Sequence, residues 1–101
     1  MSLPLIISPD ASRDLDEACA WYDEQQSGVG IRFVLAVRLR FANIQQSPLL
    51  PRPFGRKAIR KVRVPHWPYS IYYRVINDAE LRIIAVVHGA RDPKYLNYRL
   101  R

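Results

Sequence analysis

The order of two hydrophobic periodicities along the chain restricts the fold more than any other feature. Between residues 9 and 46, apolar residues recur every three or four positions, which is typical of helices that bury one side. Between residues 57 and 88, they fall in short alternating or apolar stretches, which is typical of strands. The connections within each half are only a few residues long. Consecutive elements are therefore expected to be antiparallel neighbours.

The first half predicts a short strand over residues 3–7 and then two helices. Ser8 and Pro9 suit the cap and the first position of a helix, and Gly28 suits its end. The second helix, residues 30–46, carries two adjacent apolar stripes, a width that predicts packing against both the first helix and a sheet. The stripes are Val34, Val37, Phe41 and Ile44, and beside them Ile31, Leu35, Leu39 and Ala42.

The second half predicts three strands, at residues 57–64, 69–76 and 81–88, and a last short helix after Asp92 and Pro93. The order β-α-α-β-β-β indicates an α+β fold in which a helical hairpin covers one face of an antiparallel sheet. With 101 residues, we expect a single domain over residues 1–101. The pairing of the first strand does not follow from the sequence.

Positive charge is concentrated in the second half of the chain. Residues 1–51 carry four basic and six acidic side chains, whereas residues 52–101 carry twelve basic and three acidic ones. This asymmetry favours an anionic partner, either nucleic acid or an acidic protein segment. The alternative is a solvated basic face without a partner.

Several kinds of site and location are excluded by what the sequence lacks. Two histidines and one cysteine, far apart, offer no metal-ligand spacing, and no phosphate-binding glycine loop is present. We therefore expect no metal and no cofactor. No apolar run is long enough for a bilayer, and the first residues do not resemble a signal peptide. The expected location is the cytoplasm, without membrane association.

A basic segment at residues 52–63 is the strongest candidate for an anion-binding surface. On a strand, Lys57, Lys61 and Arg63 would share one face and Arg60 would project from the other. Cations on a rigid strand can hold phosphates in fixed register. The alternative is an edge strand whose charges prevent aggregation.

Three residues near the ends of the later strands are further candidates. Arg91 could bind a phosphate or carboxylate at the sheet end, or instead pair with Asp92. His88 could carry a proton or be structural. Trp67 lies in a loop between prolines, where an indole could stack on a base, anchor a protein partner or simply pack.

Several short motifs, in their order, resemble the ParE/RelE toxin superfamily of type II toxin–antitoxin systems. They are Tyr-Tyr-Arg-Val at residues 72–75, Asn-Asp at residues 77–78 and Val-His-Gly-Ala-Arg-Asp at residues 87–92. Residues 11–22 also resemble the first helix of that family. The resemblance covers nearly the whole chain, and the last motif is more similar to the ParE side.

The resemblance implies a growth-inhibiting toxin, with roles in plasmid stabilisation, that is held in check by a cognate acidic antitoxin. ParE-type members interfere with DNA gyrase, and RelE-type members cleave mRNA on the ribosome without a metal. A third alternative is a non-toxic relative that only binds its antitoxin. Since no recognition helix is visible, promoter DNA would be bound only through the antitoxin.

The resemblance also implies which residues would act in a ribonuclease. Lys61 and Arg63 match two basic positions of the RelE-type site, Arg91 matches a third, and Tyr95 or Tyr98 could supply its tyrosine. A further arginine of that site is Ser70 here. Losing one cation from such a site argues against cleavage, and Arg74 on the same strand would substitute poorly. Whether the chain is an enzyme stays open.

We therefore predict a ParE-like toxin directed at gyrase, with the ribonuclease as the alternative. The predicted surface for an anionic target comprises Lys57, Arg60, Lys61, Arg63, Arg74, His88 and Arg91. The predicted antitoxin surface comprises Val34, Val37, Phe41, Ile44 and Trp67.

Overall fold

The computed structural model describes residues 2–91, 94 and 96–100. It contains three helices and four strands in the order β1-α1-α2-β2-β3-β4-α3. Their bounds are β1 Leu5–Ile7, α1 Pro9–Gln25, α2 Val29–Gln46, β2 Arg60–Arg63, β3 Tyr69–Ile76, β4 Glu80–His88 and α3 Leu96–Arg99. The predicted α+β class and the β-α-α-β-β-β order are confirmed.

Helix α1 begins where the sequence predicts. The Ser8 hydroxyl accepts a hydrogen bond from the backbone N–H of Ala11 at 3.1 Å, and Pro9 occupies the first helical position. After α1, Gly28 adopts a φ of 89°, in the left-handed region that glycine enters without steric cost. The chain thereby reverses direction within a few residues.

The two helices approach each other closely at Gly30. A Cβ placed there would meet the backbone oxygen of Cys19, and it would lie 2.8 Å from Cys19 Sγ. The Gly30 N–H donates to Asp23 Oδ1 at 2.8 Å, so that a carboxylate from α1 caps the start of α2. Only a residue without a side chain fits this contact.

The sheet has the strand order β1-β4-β3-β2, and β1 pairs with β4 in parallel. The other pairs are antiparallel, as predicted. The partner of the first strand, which the sequence did not predict, is therefore β4, and the sheet is mixed instead of purely antiparallel. At the turn between β3 and β4, Asn77 and Asp78 both have positive φ, at 52° and 55°, which is the geometry of a tight hairpin.

Strand β2 is shorter than the predicted stretch over residues 57–64. Phe54 and Ile59 form an isolated bridge before the strand, so Lys57 lies in the turn between them. Two side chains bind the proline-rich loop that precedes β2. The Tyr73 hydroxyl donates to the Pro48 carbonyl at 2.7 Å. The Arg60 guanidinium donates to the Leu49 carbonyl at 3.0 Å and to the Pro51 carbonyl. These bonds fix the loop against β2.

Strand β4 contains one extra residue relative to β3. Tyr72 lies opposite Ala85 whereas Tyr73 lies opposite Ile83, so Ile84 is the additional residue of a β-bulge. Leu81, Ile83 and Val86 therefore all belong to the core beneath the helical hairpin.

Each face of the sheet carries its own core. The larger core joins both helices to the sheet and includes Phe33, Val37, Ile71 and Tyr73. The smaller core lies on the opposite face, where Leu96 of α3 is 3% exposed. It is formed by Ile59, Tyr72, Ile84, Ala85, Val87 and Leu96.

Candidate functional site

Lys61 and Arg63 form an exposed pair of cations on the sheet face opposite the helical hairpin. Val62 lies between them and packs against the larger core, so strand alternation directs its two neighbours to the other side. The Lys61 ammonium lies 5.6 Å from the ring centroid of Tyr72, which belongs to the smaller core. Lys61 and Arg63 thus project from the opposite face of the strand to Arg60, as predicted.

The two cations line a cavity of about 390 Å³ at the end of the sheet, together with Ser70 and His88. Ser70 is directly opposite Arg63 in the β2–β3 pairing and is 5% exposed. Its hydroxyl can form hydrogen bonds but contributes no charge. The cavity can hold an anionic group against two cations.

His88 is held at the rim of this cavity by its neighbours. Its Nδ1 accepts a hydrogen bond from the Ala90 N–H at 3.1 Å, and its ring lies 5.5 Å from that of Tyr69. The Gly89 N–H donates to the Pro68 carbonyl at 2.8 Å. The backbone of the turn after β4 thus orients the imidazole.

Arg91 lines a different cavity, of about 220 Å³, beside helix α1. Asp14, Glu17 and Trp21 of α1 line the same cavity, and His88 lies at the border of both. Arg91 therefore has acidic neighbours, and the structure does not place it in the cavity of Lys61 and Arg63.

Three other predicted cations lie away from Lys61 and Arg63. Arg60 binds the proline-rich loop, and Arg74 Nε donates to the Lys57 carbonyl at 2.8 Å. Lys57 lines a cavity of about 500 Å³ between the turn after Phe54 and helix α3. All three are thus outside the cavity of Lys61 and Arg63.

Of the two tyrosines considered for proton transfer, Tyr98 is on α3 and is 71% exposed. It does not line the cavity of Lys61 and Arg63. Tyr95 lies outside the described residues.

The apolar stripe of α2 that lies exposed is not the one predicted as the antitoxin surface. Val37, Phe41 and Ile44 are 0%, 5% and 3% exposed and form part of the larger core, so they have almost no surface for an antitoxin. Val34 and Trp67 are half-buried. The adjacent stripe is the exposed one: Ile31, Leu35 and Leu39 are 56%, 57% and 68% exposed.

The sequence reasoning missed a buried ion pair between Asp14 and Arg99, with side chains 8% and 14% exposed. A signal for it was present, since Asp14 lies three residues after Ala11 and four before Ala18, on the apolar side of α1. A carboxylate on such a face requires a partner.

Burial raises the pKa of three tyrosines above the usual value. For Tyr22 burial is the cause. For Tyr69 burial acts first, followed by the negative charges of Tyr22 and Asp14. Burial also raises the pKa of Tyr73, against the opposing effect of Arg60 and Arg40. Burial thus favours the neutral form of these phenols.

Among the described residues, no three histidine, cysteine, aspartate or glutamate side chains are grouped as metal ligands. No described helix has the length and apolar character needed to cross a membrane.

Comparison with solved structures shows the same fold in known toxins. A chain of the chromosomal ParDE toxin–antitoxin system of P. aeruginosa superposes with a TM-score of 0.76 at 21% identity, covering 86% of this chain and 96% of that one. A mutant of the E. coli toxin RelE in the free state, with two arginines replaced by alanine, gives a TM-score of 0.62 at 16% identity, with 98% and 94% covered. A crystal structure of the isolated E. coli RelE toxin gives 0.59 at 19% identity, with 96% and 95% covered.

No curated protein matches the sequence significantly. The family model described as the ParE toxin of the type II toxin–antitoxin system parDE matches residues 5–93. The chain therefore belongs to the ParE toxin family of type II toxin–antitoxin systems.

Proposed function

We propose that this toxin arrests growth by interfering with DNA gyrase and does not cleave mRNA on the ribosome. The composition of the cavity at Lys61 and Arg63 is the observation that carries the proposal. The ribonuclease chemistry implied by the RelE-type resemblance needs several cations around one phosphate, because that phosphate gains negative charge in the transition state. Here two cations face a buried, uncharged Ser70.

The other arginines do not complete that site. Arg74 is bonded to the Lys57 carbonyl, and Arg91 lines the cavity beside the acidic side chains of α1. Removing one positioned donor from a site of this kind typically costs about 10²–10³ in rate. A protein that acts by docking on gyrase needs a complementary surface and no proton-transfer site, and the exposed pair of Lys61 and Arg63 would form part of that surface.

The proposal includes the partners and location expected from the sequence. The toxin would act in the cytoplasm, would be neutralised by an acidic antitoxin and would reach promoter DNA only through that antitoxin. A gel shift with the isolated chain should accordingly show weak, salt-sensitive binding without sequence preference.

Two assays on the same protein preparations test the mechanism. We expect the chain to inhibit plasmid supercoiling by gyrase and to leave mRNA intact in primer extension from a translating extract. A Lys61→Ala/Arg63→Ala double variant should lose the inhibition, whereas Arg52→Ala, which removes an exposed cation elsewhere, should retain it.

Cuts in the message at regular codon positions that disappear in the double variant would replace this proposal with the ribonuclease. Absence of effect in both assays would indicate the non-toxic relative. Both outcomes would contradict gyrase as the target.

A further inference from the structure

A cavity of about 500 Å³ lies beside the smaller core, on the same side of the sheet as Lys61 and Arg63 but apart from them. One wall is the turn at residues 54–59, and the other is helix α3. Its described lining residues include none that lines the cavity of Lys61 and Arg63. We call it the α3 cavity. Its volume lies within the range of about 300–1,000 Å³ that small-molecule sites occupy.

The inner lining of the α3 cavity is apolar. Ile59 and Leu96 are 6% and 3% exposed and belong to the smaller core, against which Leu100 also packs. Phe54 lies at the open edge, since it is 45% exposed, and its ring is 6.4 Å from that of Tyr72 in an edge-to-face contact. These side chains form a surface on which a hydrocarbon chain can be buried.

The charged part of the lining is positive. Arg56 and Lys57 line the cavity, and its described lining residues include no acidic side chain. Both cations are exposed, and within the described part of the chain neither forms an ion pair. Positive charge beside a buried apolar surface suits a ligand that has a hydrocarbon end and an anionic end.

Both walls of the α3 cavity are held in place. Phe54 and Ile59 exchange two backbone hydrogen bonds, at 2.8 and 3.0 Å, which close the turn. Arg74 Nε donates to the Lys57 carbonyl at 2.8 Å, so the turn is also joined to β3. On the other side, the buried ion pair between α3 and α1 fixes the helix. A ligand would therefore enter a preformed site, which lowers the entropic cost of binding.

We propose that the α3 cavity binds a small amphiphilic anion, a straight-chain aliphatic carboxylate of medium length. Its hydrocarbon chain would pack on Ile59, Leu96 and Leu100, and its carboxylate would lie at the solvent edge beside Arg56 and Lys57. A bound ligand would bridge the turn and α3 and should stabilise the folded state by mass action.

Calorimetric titration of the full chain with hexanoate, octanoate and decanoate tests the apolar part of the site. We expect the dissociation constant to fall by at least about threefold for each two carbons added, because burial of one CH₂ group strengthens binding by up to about fourfold. Octyltrimethylammonium, a cation with the same hydrocarbon chain as octanoate, should bind at least about tenfold more weakly. Equal binding of octanoate and this cation, or equal binding of all three acids, would overturn the proposal.

Matched variants locate the ligand. Phe54→Ser and Lys57→Glu should each weaken octanoate binding by about fivefold or more. Leu50→Ser and Arg52→Glu, at exposed positions outside the cavity, should not. All four side chains are exposed, so each variant should keep the fold, which thermal unfolding checks. Equal effects of the two pairs of variants would contradict a site at the α3 cavity.

An anionic membrane surface is the competing source of the same chemistry. Vesicles of phosphatidylglycerol attract the basic half of the chain whatever occupies the cavity, so wild type and Phe54→Ser should cosediment with them equally. Weaker binding of Phe54→Ser to the vesicles would place the cavity at a membrane and overturn the proposal of a free carboxylate. None of these readouts depends on gyrase, so failure of the proposed function and failure of this inference are distinguishable.

Discussion

Arg99 forms a two-pronged ion pair with Asp14, in which Nη1 lies 2.6 Å from Oδ2 and Nη2 lies 2.8 Å from Oδ1. The same two side chains also bind the backbone of β4, just past the residues of β4 that pair with β1. Asp14 Oδ2 accepts a hydrogen bond from the Val86 N–H at 3.0 Å, and Arg99 Nη1 donates to the Ile84 carbonyl at 3.1 Å. One ion pair therefore joins α1, β4 and α3 and continues the hydrogen bonding that β1 begins.

Breaking this pair should destabilise the protein strongly. Arg99→Ala leaves a buried carboxylate without its cation, for which we expect a loss of about 3–5 kcal/mol in the free energy of unfolding. Urea denaturation measures it. The control is Arg13→Ala, which removes an exposed pair with Asp10 and should cost at most about 1 kcal/mol. Similar losses in the two variants would show that the Asp14 pair is energetically unimportant.

Gly30 and Gly28 should differ in their tolerance of alanine for different physical reasons. In Gly30→Ala the new Cβ meets the Cys19 backbone and the Asp23 carboxylate, so the helices must separate, at about 3 kcal/mol. In Gly28→Ala the Cβ meets no atom within 4 Å and only the left-handed backbone is unfavourable, at about 1 kcal/mol. Thermal unfolding of both variants tests this order, and the reverse order would contradict the close approach at Gly30.

Arg60 and Lys61 are sequence neighbours with opposite expected roles. Arg60→Ala removes the bonds to the Leu49 and Pro51 carbonyls and should cost about 1–2 kcal/mol of stability with little effect on gyrase inhibition. Lys61→Ala should leave stability unchanged and weaken inhibition. Urea denaturation and supercoiling assays on both variants decide the matter, and parallel effects on stability and inhibition would argue against this division.

Tyr73→Phe should change how stability depends on pH. In the unfolded chain the phenol ionises near its usual pKa of 10.0, whereas the folded pKa is raised by burial. Its contribution is therefore complete below pH 10 and is lost as the pH rises above that value. Phenylalanine should cost about 1 kcal/mol at neutral pH, because the bond to the Pro48 carbonyl is lost, and should reduce the alkaline decline.

Unfolding curves of wild type and Tyr73→Phe between neutral pH and about pH 11 would measure this difference. A constant difference in the free energy of unfolding between the two proteins across the whole pH range would refute a raised pKa for Tyr73.

Features decided by local chemistry could be predicted from the sequence. Ser8 and Pro9 mark the start of α1 through interactions within a few residues, and the Asn77-Asp78 turn follows from the same kind of signal. Gly28 has the predicted left-handed backbone, but it caps the start of α2, whereas α1 ends at Gln25 with Gln26 as its cap. The alternating pattern of residues 69–76 predicts strand β3 with its observed bounds.

Features decided by distant contacts could not be predicted. The two stripes of α2 are similarly apolar, and the burial of Val37 instead of Leu35 depends on how α2 packs against α1 and the sheet. The parallel pairing of β1 depends on β4, more than seventy residues later in the chain. The candidate site could be predicted only in part: Lys61 and Arg63 lie together, but the position of Arg91 depends on the path of the chain after β4.

The β-bulge in β4 also determines which side of the sheet the end of that strand faces. If Ile84 alternated strictly after Ile83, His88 would project toward the cation face; because Ile84 is bulged out of the ladder, the ring instead contacts Tyr69 on the hairpin side. The bulge thus acts as a phase shift that leaves the imidazole at the rim of the cavity. A chain of this fold lacking Ile84 would form a regular β3–β4 ladder and keep the histidine on the hairpin side, whereas a chain that held Ile84 in strict alternation would turn the imidazole toward both cations without changing any residue of the site.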